Sequence, residues 1–261
     1  MELIFLAVSL SASILGAICG IGGGVIIKPV LDATGAVGVS TGSFLSGCTV
    51  LSMSIISVLK SIRNKSNVIE VRKGTLLAIG AAVGGLAGKS LFQLIYKVFP
   101  DKDEVGAVQA AILIIITIGT LIYTIKADKI KTHHIEHAAP CMAIGLVLGL
   151  ISAFLGIGGG PINIVMLSFF FSMGTKQAAA NSLYIIMFSQ LASLSGTVIS
   201  HEVPEFNALA LLLMVAGGVA GGMIGGRINK KIDSKTVNKL FISLMAAIVL
   251  INIYNVIRFT M

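Results

Sequence analysis

Apolar residues occupy most of the chain in long runs, which short polar stretches separate. Eight such runs cover residues 3–31, 38–59, 74–98, 105–125, 138–173, 177–200, 206–228 and 236–257. A helix that crosses a bilayer core of about 30 Å needs roughly 20 apolar residues. The pattern therefore predicts an all-α polytopic membrane protein in which nearly the whole chain lies in membrane segments.

Two of the runs, 3–31 and 138–173, are longer than one crossing requires. Each is interrupted by the sequence GIGGG, at 20–24 and at 156–160. Because glycine allows backbone turns that other residues resist, each run is expected to contain a broken helix, folded as a re-entrant hairpin or as two short spans. Residues 161–173 would form only about 20 Å of helix, which favours a re-entrant hairpin with its Gly-rich tip in mid-membrane.

The two Gly-rich sequences belong to an internal repeat. GIGGG recurs at an offset of 136 residues, and the same offset relates Gly38 to Gly174 and Ser46 to Ser182. Duplicated halves are a common construction of secondary transporters. We predict a first membrane repeat at 1–126, a cytoplasmic linker at 127–139 and a second membrane repeat at 140–261, with about five membrane segments in each repeat.

Basic residues indicate how the two repeats are oriented, because Lys and Arg in short loops favour the cytoplasm. They concentrate in three stretches, at 60–73 (which includes Lys65), 126–131 and 227–239. Two other loops carry few of them, at 101–104 and 201–205. The equivalent runs 38–59 and 177–200 must then cross in opposite directions, so the repeats are predicted to be inverted, with both termini outside. Only Glu2 precedes the first run, so this run lacks the basic start of a signal peptide and is expected to be mature sequence.

The composition excludes most other classes of protein. Of 261 residues, 56% are hydrophobic and 11% are charged, whereas soluble domains carry about a quarter charged residues. The net charge of +8 is interpreted as cytoplasmic loops rather than as a nucleic-acid surface. No cofactor or metal is expected, because the three cysteines are scattered through apolar segments and the histidines within 133–137 lie in a polar linker.

The two GIGGG sequences, here called the first tip (20–24) and the second tip (156–160), are the candidate binding site. Irregular backbone in a bilayer is tolerated only where protein or a water-filled cavity surrounds it, so the tips should face a cavity. Pro161 marks the restart of a helix, because proline at the first helical position needs no N–H. Free N–H groups and the helix dipole at such a start attract anions. The glycines predicted to contact the substrate are Gly22, Gly23, Gly24, Gly158, Gly159 and Gly160.

The Gly-rich tips also suggest two other interpretations. A small-residue motif can simply allow close helix packing, although two copies in inverted halves favour a site. A nucleotide-binding motif fails on spacing, because Val25 and Pro161 stand where a further glycine would be needed.

Polar residues near the tips complete the predicted site. Lys28 lies one turn beyond the first tip, where it could balance an anion, pair with Asp32 or extend toward water. Lys89, in a later segment, has the same alternatives. Four further residues could donate hydrogen bonds to the substrate or hold helices together: Ser46, Asn163, Asn181 and Ser182.

The segments from Gly20 to Leu31 and from Gly156 to Leu167 resemble the paired signatures of the TauE/SafE sulfite exporter family, also called TSUP. The small-residue runs at 84–88 and 221–227 also resemble the third segment of each half of that family. The resemblance covers nearly the whole chain. It implies a bacterial or archaeal cell-membrane transporter of sulfite, organosulfonates or other small sulfur-containing anions. In one departure, the first copy has Pro29 five residues after its last glycine, whereas the second has Val165 there and Pro161 instead.

Together these features predict a secondary transporter that works by alternating access, with a small sulfur-containing anion held between the tips. An anion channel on the same inverted halves is one alternative. An intramembrane enzyme is another, but no nucleophile beside a base and no paired carboxylates lie within a span, so no catalytic residue is predicted. Membrane lipid is the expected surrounding, protons are a candidate coupling ion, and no oligomeric state is assigned.

Overall fold

The computed structural model describes residues 2–63 and 69–261, so the predicted loop residue Lys65 lies outside the described residues. Within them the chain forms ten α-helices and one short 3-10 helix. The α-helices are α1 (Glu2–Cys19), α2 (Gly24–Thr34), α3 (Val39–Arg63), α4 (Val71–Val98), α5 (Lys102–Lys126), α6 (Ala138–Leu155), α7 (Pro161–Phe171), α8 (Thr175–Ile199), α9 (Ala208–Lys231) and α10 (Ser234–Thr260), and the 3-10 helix is Ala127–Lys129.

The helices confirm the prediction of an all-α, polytopic membrane protein. Seven of those described are long and apolar enough to cross a bilayer, namely α3, α4, α5, α6, α8, α9 and α10. Large apolar side chains remain exposed on their outer faces, such as Ile115, Leu212 and Leu250. A protein in water rarely exposes so much apolar surface, whereas lipid tails are a compatible solvent for it.

Both over-long runs are broken at the Gly-rich tips, as the sequence predicts. Helix α1 ends at Cys19 and α2 begins at Gly24, and α6 ends at Leu155 and α7 begins at Pro161. Glycines with positive φ make each break: Gly20, Gly22, Gly23, Gly156, Gly158 and Gly159. In the first half the chain then folds back along α1, because a Cβ placed on Gly23 would lie 3.1 Å from the carbonyl oxygen of Ala12. Helix α2 has only 11 residues, about 16 Å of helix, so it is too short to cross a bilayer alone.

The fourth helix of each half packs against the first helix of the other half, through glycines. Gly80 and Gly84 of α4 lie against Met142 and Leu146 of α6, while Gly217 and Gly221 of α9 lie against Leu6 and Leu10 of α1. Contacts advance along both members of each pair in the same direction, so both pairs are parallel. Glycine allows this close approach because a Cβ at these positions would collide with the neighbouring backbone.

The third helices of the two halves, α3 and α8, pack against each other in the centre and run antiparallel. Gly47 of α3 contacts Gln190 and Leu194, whereas Val58, near the end of α3, packs in one cluster with Leu183, nearer the start of α8. The equivalent helices of the two halves thus point in opposite directions. The inverted repeat of the whole halves stays a prediction.

Polar contacts group the loops at two opposite ends of the helical bundle. At one end the Lys60 ammonium donates to the carbonyl of Met223, at 3.1 Å. At the other end Thr41 donates to the carbonyl of Glu205, at 3.0 Å, and Lys97 pairs with Glu202. Lys60, in the first basic stretch, therefore lies beside α9, the helix that leads into the basic stretch 227–239. The loop 201–205, which is predicted to be outside, lies at the other end.

We expect a tag at the C-terminus to face the outside, because α10 ends beside the start of α5 and the loop after α2. An added Cβ on Gly106 would touch the Phe259 ring, and one on Gly35 would touch Arg258. In intact cells, an impermeant protease or antibody should reach such a tag, while a tag inserted after Lys129 should be protected. A protected C-terminal tag would contradict the predicted orientation.

Candidate functional site

The two Gly-rich tips meet in the structure. A Cβ placed on Gly24 would collide with the carbonyl group of Ile157, and one on Gly22 would lie 3.3 Å from the carbonyl oxygen of Gly158. The tips are therefore in direct backbone contact, and the absence of side chains at these positions is what permits it.

Two apolar side chains of α3 and α8 enclose the junction of the tips. Val50 contacts Gly22, Gly24 and Gly158, and Ile186 contacts Gly22 and Gly159. The first glycines of the tips pack on the same two helices. A Cβ on Gly20 would meet Ala179, and one on Gly156 would meet Ser43.

The sequence alone did not predict that Val50 and Ile186 enclose the tips, because only polar residues stood out as candidates for a binding site. Val50 and Ile186 are separated by the same 136 residues that relate the two GIGGG sequences, and so are Ser43 and Ala179. The repeat offset is the signal that would have found them. Each tip thus lies against the third helix of both halves in matching ways.

Backbone donors accumulate at the second tip. Among the hydrogen bonds between described residues, none has the N–H of Gly158, Gly159 or Gly160 as its donor. Helix α7 starts directly afterwards, at Pro161, as the sequence predicts. Three unpaired N–H groups therefore precede the positive end of a helix dipole, which is the arrangement that attracts an anion.

Buried polar atoms without partners lie beside the tips. The hydroxyls of Ser46 and Ser182 and the amide oxygen of Asn163 are fully enclosed and have no hydrogen-bond partner among the described residues. Ser46 lies one turn from both Ser43 and Val50 on α3, so it faces the same junction. Ser182 lies between Ala179 and Ile186 on α8 in the same way. Buried polar groups are normally paired, so these atoms are available to bind a polar ligand.

Lys28 is paired with Asp32 in the structure. The ammonium and carboxylate are 2.6 Å apart, and the side chains are 3% and 5% exposed. The stem of Lys28 lies against the second tip, with Cε 3.3 Å from the position of a Cβ on Gly156. Of the alternatives that the sequence left open, the structure thus shows the ion pair with Asp32 and places it beside the tips.

Asn181 and Gln190 make contacts between helices. The Asn181 amide accepts a hydrogen bond from the Glu70 backbone at 3.1 Å and donates to the carbonyl of Gln177 at 2.9 Å. Asn181 therefore ties the start of α8 to the start of α4. The Gln190 amide lies beside Gly47 and Gly158, so it fills the space between α3 and the second tip.

A cavity of about 280 Å³ opens beside the first tip at the basic end of the bundle. Its inner wall includes Ala179, which also contacts Gly20. Three lysines are among its lining residues, which include no carboxylate: Lys60, Lys176 and Lys230. An anion approaching from this end would therefore meet positive charge before it reached the tips.

The remaining candidate groups lie away from the tips. The histidines of the linker are exposed, and His133 packs against the ring of Phe169. Among the described residues, no group of three His, Cys, Asp or Glu side chains is placed to hold a metal. The chemistry available at the tips is therefore that of hydrogen-bond donors and helix dipoles, which suits reversible binding of an anion.

Comparisons with known proteins relate the chain to membrane transporters. The sequence model of the family described as "Sulfite exporter TauE/SafE" matches residues 5–251. A probable membrane transporter protein of Bacillus subtilis, YunE, is 26% identical over 237 residues, which cover 80% of this chain and 82% of the relative. A probable membrane transporter protein of Methanocaldococcus jannaschii, MJ0441, is 26% identical over 199 residues, which cover 73% of this chain and 70% of the relative. No solved structure matches the chain.

Proposed function

Because this chain belongs to the TauE/SafE sulfite exporter family of membrane transporters, we propose that it carries a small sulfur-containing anion, such as sulfite or an organosulfonate, by alternating access. Residues 1–126 and 140–261 act as two inverted membrane repeats, with 127–139 as a cytoplasmic linker. The protein resides in the cell membrane, with both termini outside. The anion is held where the two tips meet.

The observation that carries this proposal is the group of unpaired donors around the tips. Among the described residues, three backbone N–H groups of the second tip have no hydrogen-bond partner, and the buried Ser46 and Ser182 hydroxyls have none either. Sulfite and sulfonate groups present three oxygens in a pyramid, which several converging donors can satisfy together. Because the nearby charge of Lys28 is already balanced by Asp32, binding would depend on dipoles and remain weak enough for release.

The symmetric contacts of the tips support alternating access. Each tip touches both α3 and α8 through residues at matching positions of the repeat. Rocking of the halves could therefore exchange the contacts of one tip for the equivalent contacts of the other. The lysine-lined cavity at the basic end includes Ala179, which contacts Gly20 of the first tip. This neighbourhood supports the cavity as an access path for the anion.

The test of this proposal is flux in proteoliposomes. Purified protein is reconstituted, and uptake of sulfite, a small organosulfonate, sulfate and a carboxylate of similar size is measured with and without a pH gradient. We expect saturable uptake of sulfite or the organosulfonate that the gradient alters. Non-saturable flux would indicate a channel, and no flux of any anion by folded protein would contradict the proposal.

The Ser46→Ala and Ser182→Ala variants should each raise KM for the transported anion by about tenfold, because each removes a hydrogen bond to a charged group. Their melting temperatures should not fall, because the two hydroxyls have no protein partner to lose. The measurement is initial uptake rate against anion concentration, together with a thermal unfolding curve.

Ser54→Ala is the matched control on α3, because its buried hydroxyl already donates to the carbonyl of Leu51 at 2.9 Å. It should leave KM within about twofold of the wild-type value, far below the effect of one lost charged hydrogen bond. If the Ser46 and Ser182 variants bind and transport like the Ser54 variant, the two hydroxyls do not contact the anion.

A further inference from the structure

Lys89 is a buried cation within a membrane-spanning helix. It lies in the second half of α4, and 8% of the residue is exposed. Among the described residues, no carboxylate lies within ion-pair distance of its ammonium group. Its nearest favourable contact is the ring of Phe92, 4.9 Å from Nζ to the ring centre.

An ammonium group at this depth is costly to keep. Removing it from water is unfavourable, and one cation–π contact offsets only part of that cost. Lys28, the other buried lysine among the described residues, differs because its charge is balanced by Asp32. Lys89 thus has no ion-pair partner among the described residues.

Lys89 lies between the tips and a second cavity, at the end opposite to the three lysines. One turn further along α4, Phe92 and Gln93 line this cavity, whose volume is about 270 Å³, and the Gln93 amide nitrogen is buried without a partner among the described residues. One turn earlier, a Cβ on Gly85 would lie 2.7 Å from the carbonyl oxygen of Ser189. The next residue, Gln190, contacts the second tip at Gly158.

By helical spacing, a row of polar residues therefore leads from the second cavity toward the tips. It passes from Gln93 to Lys89, then to the buried and unpartnered hydroxyl of Ser189, and then to Gln190. Apart from Lys89, its members are neutral. An anion that left the tips along this row would meet the positive charge of Lys89 before it reached the cavity.

We propose that Lys89 is a substrate-contacting residue that supplies the fixed positive charge of an anion subsite between the tips and the second cavity. This proposal rests on the proposed function and names the group that balances the anion on that side. The ligand class is the same small sulfur oxyanion, and the residue determines affinity rather than the fold.

The experiment compares Lys89→Met and Lys89→Arg with Lys97→Met in proteoliposomes, with sulfite as the probe. Lys97 serves as the control because it lines the same cavity but its side chain is 68% exposed and pairs with Glu202. For each variant we measure KM for sulfite and the melting temperature with and without saturating sulfite. Loss of a purely structural lysine would lower the melting temperature and leave KM unchanged. Loss of a substrate-contacting lysine should instead raise KM without lowering the melting temperature.

Lys89→Met should raise KM by at least about tenfold and reduce the stabilisation by sulfite, because a charge that attracts the anion is gone. Its melting temperature without sulfite should rise, because an unpaired buried charge has been removed. Lys89→Arg should retain most of the affinity, and Lys97→Met should change KM by less than about twofold, as expected for an exposed charge.

A Lys89→Met variant with wild-type KM and wild-type stabilisation by sulfite would overturn the Lys89 subsite while leaving the proposed function intact. An equal rise of KM in Lys97→Met would also overturn it, because the effect would then belong to general surface charge. If neither uptake nor stabilisation occurs in the wild type with sulfite or the organosulfonate, the proposed function itself fails, and the subsite with it.

Discussion

Replacing Gly24 with alanine should abolish transport while leaving the protein folded in the membrane. The added methyl group would collide with the carbonyl of Ile157 and lie 2.8 Å from Cγ2 of Val50. A backbone carbonyl cannot rotate away as a side chain can, so the two tips must separate. Gly24 is the first residue of α2 and lacks a positive φ, so the effect is steric. Overpacking of this kind costs about 1–3 kcal/mol, which a folded protein can tolerate.

The measurement is sulfite uptake in proteoliposomes, with size-exclusion chromatography in detergent as the test of folding. Gly119→Ala is the control, because nothing lies within 4 Å of a Cβ at that position in α5, and it should transport normally. Gly159→Leu tests the second tip in the same way, since Gly159 has φ +123° and a Cβ there would strike Ile186. Wild-type uptake by folded Gly24→Ala or Gly159→Leu protein would show that the tips are only packing elements.

Removing the carboxylate of Asp32 should destabilise the protein by about 3–5 kcal/mol, because Lys28 would be left as an uncompensated buried charge. Both side chains of this pair are at least nine-tenths buried. Asp32→Ala should therefore show a markedly lower melting temperature and poor yield. Lys73→Ala is the control, because it breaks the partly exposed pair with Glu70, a type worth at most about 1 kcal/mol.

The double variant Lys28→Met with Asp32→Ala distinguishes the ion pair from other effects of Asp32. It removes both charges together, so its melting temperature should recover most of the loss. The measurement is a thermal unfolding series of the wild type, both single variants and the double variant. Additive losses, with the double variant less stable than either single variant, would contradict the importance of the pair.

The breaks at the tips could be predicted from the sequence because local chemistry determines them. Glycine is the residue that readily adopts positive φ, and six of the tip glycines do so. Proline fits the first position of a helix, and α7 begins at Pro161. Apolar runs of sufficient length likewise predict the long helices without knowledge of their neighbours.

Tertiary neighbours could not be predicted in the same way. Nothing in the glycines of α4 indicates that they contact α6 rather than another helix of their own half, since any small residue permits close approach. Val50 and Ile186 were missed because an apolar residue in a membrane segment looks like any other. Only the shared offset of the repeat, once the contacts are known, identifies them as equivalent.

Charged residues in the spans show a related difference. The spacing of Lys28 and Asp32 permits a pair on one helix, but a lysine so placed can also extend to water. Burial against the second tip decides between these outcomes, and burial depends on the whole fold. Lys89, in contrast, forms no ion pair, because no carboxylate of the described residues lies within ion-pair distance of it.

We propose that a small sulfur oxyanion binds where the two tips meet. The most direct test is a crystal structure of the protein with selenite, whose selenium atom marks the position of a sulfite analogue by anomalous scattering. We expect an anomalous peak within hydrogen-bond distance of the N–H groups of Gly158, Gly159 and Gly160. The Ser46 and Ser182 hydroxyls should lie within the same distance of this peak. A protein that binds selenite in solution but shows no peak at the tips, or a peak only elsewhere, would contradict it.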